Sequence, residues 1–163
     1  MNIFYLHDSP RECAMLHTDK HVVKMILEYS QLLSTAHYVC DGATPEGMYK
    51  PTHINHPSAV WVRKSKYNYT WLCYLLLDLC AEYSYRYGKV HKVERDRLCY
   101  LLLKNVPKNI GKELWSEPTP AMPDEYKVKG DSITSYRKYY ASAKTHLHAW
   151  KKRSIPSFIT EAA

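Results

Sequence analysis

Four side chains near the start of the sequence are of types that do chemistry together: His17, His21, Lys24 and Glu28. At 100° per residue these positions fall within roughly 60° of one another on a helix, and Gln31 and Thr35 extend the line. Met15, Val22, Val23, Ile26, Tyr29 and Leu33 occupy the other side, enough to bury the helix against a core. The segment thus has an apolar back and a polar front with two imidazoles, an amine and a carboxylate. A solvated helix face usually carries Glu, Lys and Gln in i, i+4 pairs. Two His one turn apart with one Glu form instead a titratable constellation suited to proton transfer.

The element that must position this front is a helix from Ser9 to about His37, ending near Cys40. Asp8 or Ser9 is the expected cap, Pro10 suits the first turn, and Asp41-Gly42 is the stop. Residues 2–6 read as an apolar arm packed on the helices. Asp19 points towards the apolar arc of the helix and needs a partner there, such as an arginine from another helix. After a Pro- and Gly-bearing loop comes Tyr49-Lys50-Pro51-Thr52-His53-Ile54-Asn55-His56-Pro57. Its His53, Asn55 and His56 are candidates for an active-site rim, with His56 as the cap of the next helix. The exposed amides of that helix start could accept a phosphate.

A second helix is expected over 58–87, stopped by Gly88 and apolar almost all round in its middle, which makes it the central one. Its ends are basic, with Arg63, Lys64 and Lys66 early and Arg86 and Lys89 late. A shorter helix covers about 92–104. Pro107, Pro118, Pro120 and Pro123 forbid a long helix over 105–130, so this stretch is an ordered excursion pinned by Leu114, Trp115 and Met122. The last helix is expected over 132–150 and bears Tyr136, Arg137, Lys138, Tyr139, Tyr140 and Lys144. The tail from Lys151 to Phe158, with Arg153, continues that aromatic and basic character. The fold class expected is all-α: a single domain over 1–163 with three to four main helices and long Pro-rich connections.

A formal charge of +7 with 15 Tyr and 4 Trp points to nucleic acid as the partner, because cations attract phosphates and aromatic rings stack on bases. Five Cys without a C-x-x-C pair argue against a disulfide framework. The greasiest run, Trp71 to Ala81, is too short for a membrane span and is interrupted by Asp78. No secretory leader pattern opens the chain, so a cytoplasmic protein is the expectation, and the chain is taken to act as a monomer. Neither a Walker A nor a G-x-G-x-x-G phosphate loop occurs.

Three chemistries compete. The first is base excision, which needs a nucleophile at the sugar carbon, a carboxylate to steady the cationic ring, and basic residues on flanking phosphates. The second is metal-dependent hydrolysis, with His17 and His21 sharing an ion completed by His53, His56 or His37. No H-E-x-x-H or comparable motif supports it, and no cofactor is expected. The third is a non-enzymatic nucleic-acid or nucleotide binder, for which no known module pattern is present.

The pattern Asp19-x-His21 with Glu28 nine residues after the Asp resembles the first helix of the small all-helical pyrimidine-dimer DNA glycosylases with AP-lyase activity, the phage endonuclease V type. The His56-Pro57 opening of a long helix, its acidic then Tyr85-Arg86-Tyr87-Gly88 ending, and the closing Lys152-Arg153-x-x-Pro156-x-Phe158 are similar too. The resemblance thinly covers most of the chain. It implies a DNA N-glycosylase acting on damaged or modified pyrimidines, with Glu28 as the key carboxylate and an α-amine as nucleophile. That amine belongs to Asn2 if Met1 is removed, and Asn2 is large for such removal. Where the family sets arginines beside its Glu, this chain has Leu27 and Tyr29, with Lys24 and Gln31 the nearest substitutes. On this reading His21 and Lys24 are electrostatic partners of Glu28, and His17 handles a proton or contacts phosphate. His53, Asn55, His56 and Arg63 line the rim, and Arg137, Tyr140 and Arg153 follow the phosphates. The resemblance also hints at a virus-encoded protein.

Overall fold

The computed structural model describes residues 1–162 and contains only helices, turns and irregular segments among them, with 57% of residues helical and no strand. The helices are α1 (Pro10–Leu16), α2 (Asp19–Asp41), α3 (Pro57–Arg63), α4 (Lys66–Tyr87), α5 (Lys92–Arg95), α6 (Leu98–Lys104), α7 (Ser132–Ala143) and α8 (Ser157–Thr160). Short 3₁₀ turns lie at Asp124–Tyr126 and Thr145–Leu147. The all-α expectation therefore holds. No helix is long and apolar enough to cross a membrane among the described residues.

Several expected helices are interrupted, each for a local reason. The first is split at His17 and Thr18, because the Thr18 side chain accepts from the His21 amide and caps a new helix. The second is split at Lys64, where Ser65 caps α4 by accepting from the Asn68 amide at 3.0 Å. The passing excursion also takes the free carbonyls there, with Gly111 N–H donating to Arg63 and Glu113 N–H to Lys64. A β-carbon at Gly111 would lie 2.3 Å from the Lys64 carbonyl oxygen, so only glycine permits this approach. The third breaks at Arg97, whose φ is +62°. The fourth stops at Ala143 and not at 150. There His148 Nε2, 2.8 Å from the Tyr140 carbonyl, occupies an acceptor on which the next helical amide depends. The expected stops at Gly42 and Gly88 are present, both glycines being left-handed.

α4 crosses the molecule and packs against α1, α2, α3 and α6. One contiguous apolar core gathers around it, including Ile26, Leu33, Trp61, Leu72, Leu76 and Leu102. Val23, expected on the buried side of α2, is exposed. Cys13, Cys73, Cys80 and Cys99 are buried free thiols.

The arm over residues 1–6 is irregular yet buried from Ile3 to Leu6. Its backbone groups find partners from three directions. Phe4 N–H donates to the Tyr29 hydroxyl at 3.0 Å, the Phe4 carbonyl accepts from the Cys13 thiol at 3.1 Å, and the Leu6 carbonyl accepts from Arg137 Nε at 2.9 Å. At the far end of α4, buried Arg86 donates Nε to Glu82 at 2.9 Å, Nη1 to the His17 carbonyl and Asp19 Oδ1, and Nη2 to the Met15 carbonyl. Asp19 thus meets the arginine its position called for.

Candidate active site around Glu28

Glu28 lies in the middle of α2 with its side chain 15% exposed, facing a cleft of about 120 Å³. The cleft is lined by Met1, Asn2, Phe4, His21, Lys24, Met25, Glu28 and Lys144. The arm supplies one wall, two turns of α2 the floor, and the end of α7 the other wall. The Met1 amino group stands 3.6 Å from Glu28 Oε1, and Lys24 Nζ stands 3.7 Å from Oε2. Both are ion-pair distances beyond ordinary hydrogen-bond reach. Oε2 is buried with no hydrogen-bond partner, and so is Asn2 Oδ1. A buried carboxylate oxygen without a donor is costly, and two unsatisfied acceptors at one small cleft mark a place where a ligand would contribute hydrogen bonds.

His21 is set by the residues behind it. The Tyr140 hydroxyl accepts from the Thr18 amide at 3.1 Å and lies 2.6 Å from His21 Nδ1. Of the two groups bonded to this hydroxyl the Thr18 amide can only donate, so Tyr140 gives its proton to Nδ1, which leaves the imidazole proton on Nε2. The ring stacks on Phe4, with centroids 4.2 Å apart. Burial, then the charges of His17, Lys144 and Lys24, push the His21 pKa down to about 3. His21 is therefore a neutral hydrogen-bond donor and not the charged partner of Glu28 expected from the sequence.

His17 departs further from expectation. It is fully buried, with Nδ1 2.7 Å from the Cys13 carbonyl and Nε2 2.9 Å from the Tyr29 hydroxyl. Tyr29 accepts from Phe4 N–H and donates to Nε2, so the chain of bonds runs from the arm through Tyr29 to His17 and on to α1. Desolvation lowers the His17 pKa to about 4. Both nitrogens are engaged, so His17 neither handles a proton in the cleft nor joins His21 around a metal. Among the described residues no group of three or more His, Cys, Asp or Glu is arranged to hold an ion.

The loop of residues 49–56 is fastened to α2 by Ser34, which accepts from Tyr49 N–H, and by Thr35, which accepts from Thr52 N–H. His56 caps α3 through Nδ1, as expected. Its pKa is lowered, first by burial and then by the nearby charges of the Met1 amine and His53, while Glu28 opposes the shift. His56 therefore shares the electrostatic surroundings of the cleft. His53 and Asn55 are exposed on the same loop and do not line it. Arg63 is not a rim group: it donates Nη1 to the Ile54 carbonyl at 2.7 Å and braces the loop from behind.

The three residues expected along the phosphates have other partners. Tyr140 is buried and orients His21. Arg153 binds Glu82 together with Arg86. Arg137 holds the Leu6 carbonyl and stacks on Phe158, 5.0 Å from its ring centre. Lys144 and Phe4 line the cleft and were not singled out from the sequence. Lys144 belongs to the aromatic and basic run of the last helix, but its register relative to Glu28 is a tertiary property. No family model, curated protein or solved structure matches the chain.

Proposed function

We propose that this chain is a DNA N-glycosylase, with associated lyase activity, that attacks a damaged or modified pyrimidine nucleotide through the Met1 α-amine. The observation carrying this reading is the amine 3.6 Å from Glu28 Oε1 beside a carboxylate oxygen that has no donor. α-Amines as a class are less basic than lysine side chains, so a terminal amine is the better nucleophile near neutrality. Glu28 accepts a proton from the ammonium group, and the freed nitrogen lone pair attacks C1′ of the sugar. The C1′–N bond to the base breaks, the base leaves with that electron pair and takes a proton from solvent. The attached nitrogen sheds a proton to solvent, and Glu28 returns its own proton to O4′ as the sugar ring opens, which regenerates the carboxylate and gives an iminium between the Met1 nitrogen and C1′. Glu28 stabilises the positive charge, and loss of a C2′ proton with departure of the 3′ phosphate nicks the strand.

The cleft has about the volume of four water molecules, enough for the sugar edge but not a whole nucleotide. The base therefore stays at the mouth, with Lys144 of the cleft wall beside it. His21 Nε2–H serves as a neutral donor to a sugar or phosphate oxygen, and Lys24 and Lys144 balance the phosphate charge.

Borohydride trapping on duplex DNA carrying pyrimidine dimers or abasic sites tests the proposal. A covalent adduct mapping by mass spectrometry to the Met1 nitrogen is expected. Glu28→Gln should lower adduct formation at least about 100-fold while DNA binding stays within a few fold. Absence of any adduct, or an adduct unaffected by Glu28→Gln, overturns it.

A further inference from the structure

On the other side of the arm, Lys66, Tyr67, Thr70, Trp71, Tyr74 and Trp115 line an open groove of about 500 Å³, larger than the Glu28 cleft. Its apolar surface is almost wholly aromatic. Tyr67 and Tyr74 are each 49% exposed and Trp115 40%, a dense set of large rings left in water. These rings are held in place. Trp71 and Trp115 pack with centroids 5.8 Å apart, Trp61 lies edge-on to both, and Tyr5 of the arm backs Trp71 at 5.2 Å. The polar edges of the two inner indoles are already satisfied, with Trp71 Nε1 donating to the Asp8 carbonyl and Trp61 Nε1 to the Ser116 carbonyl. What Trp71 and its neighbours offer a ligand is therefore ring face.

The cations are adjacent. Lys66 Nζ stands 5.2 Å from the Tyr67 ring centre, Lys64 is exposed one residue before the α4 cap, and exposed Lys112 is bridged to Ser65. Glu113 and Glu117 on the same loop offset part of this charge, so the rings must supply most of the attraction. Aromatic-walled grooves also take polyproline segments, but such a segment carries no negative charge for these lysines to meet. Flat rings edged by lysines complement instead a flat, aromatic, negatively backed ligand.

We propose that this groove stacks an unpaired base of a single-stranded or locally opened nucleic acid, with Lys64, Lys66 and Lys112 on its phosphates. The inference extends the nucleic-acid reading of the Glu28 cleft by naming a second contact for the same strand. Tyr5 lies four residues beyond Met1, so their α-carbons are at most about 14 Å apart, and one strand can reach both places.

The test is direct binding, with no turnover step, so its result stands whether or not Glu28 supports catalysis. Fluorescence anisotropy of labelled oligothymidylate of about twelve nucleotides is compared with an abasic strand of equal length, for the wild type, Tyr67→Ala and Tyr74→Ala. Both tyrosines are half in water, and thermal melts establish that the variants fold. Trp115 is left intact because it also packs on Trp61. Each variant should bind oligothymidylate at least about fivefold more weakly, following the free energy of one lost base stack. The abasic strand should bind wild type and variants alike, and Lys66→Ala should flatten the salt dependence. Folded tyrosine variants that bind as the wild type does, or equal affinity for the two strands, overturn the proposal. So does a concentration-dependent dimer that Tyr74→Ala abolishes, because the groove's occupant is then a second copy of the chain.

Discussion

Glu28 on α2 and Glu82 on α4 are both helical carboxylates shielded from water and set beside cations, yet they are in opposite states. Glu82 receives Arg86 Nε at 2.9 Å and Arg153 Nε at 3.3 Å, and a second Arg153 nitrogen binds its other oxygen. Against the opposing effect of burial, these bonds hold its carboxyl below the usual range. Glu28 has two cations at ion-pair distance but no hydrogen bond to either, and one oxygen is empty-handed. A saturated carboxylate is a fastener, and an undersaturated one is available to a ligand. Proximity of charge does not tell the two apart, but donor geometry does.

The largest expected effect is on Glu82. Glu82→Ala leaves the fully buried Arg86 with Asp19 as its remaining carboxylate and its Nε without a partner, and should cost about 3–5 kcal/mol in urea-monitored stability. Glu28→Ala should change stability by less than about 1 kcal/mol, and an equal loss from both would erase the contrast. Two imidazoles repeat the contrast on a smaller scale. The His17 pKa is lowered from its ordinary 6.5 to about 4 by burial, so between these values the unfolded chain binds more protons than the native one. Its contribution is complete above pH 6.5 and is lost as pH falls to 4, about 3 kcal/mol in total. Urea titrations across that window should show the decline, and a flat profile would place His17 in water. Tyr140→Phe removes the hydroxyl shared by Thr18 and His21 and should cost about 1–3 kcal/mol. It should also alter the His21 titration seen by NMR. Smallest is Lys24→Ala, within about 0.5 kcal/mol in chemical denaturation, since that side chain is 70% exposed.

How much was legible in the sequence depends on whether a residue's role is settled within its own helix. Helical spacing put His21, Lys24 and Glu28 on one line, and they do share the cleft. The caps at Ser9 and His56, the glycine stops and Asp19's need for an arginine could also be read, because each is local or a matter of charge. His17 was misread because Thr18 starts a new helix there, and the 100° step cannot be carried across a cap. Arg137, Tyr140 and Arg153 have the composition of a phosphate track, but each is claimed by a group far away in sequence. Composition records what a side chain could hold, and only packing decides what reaches it first. The Trp71–Trp115 groove escaped notice for the same reason, since its two indoles come from a helix and a proline-rich excursion.

The bonds between Thr18 and Tyr140, Leu16 and Trp150, and Asp19 and Lys151 each span more than 120 residues. Residues 16–19 are thus clasped by residues 140–151, and Met1 and Lys144 line one opening. During synthesis the opening has no second wall until α7 and Lys144 have emerged from the ribosome, so the site is completed late in the making of the chain.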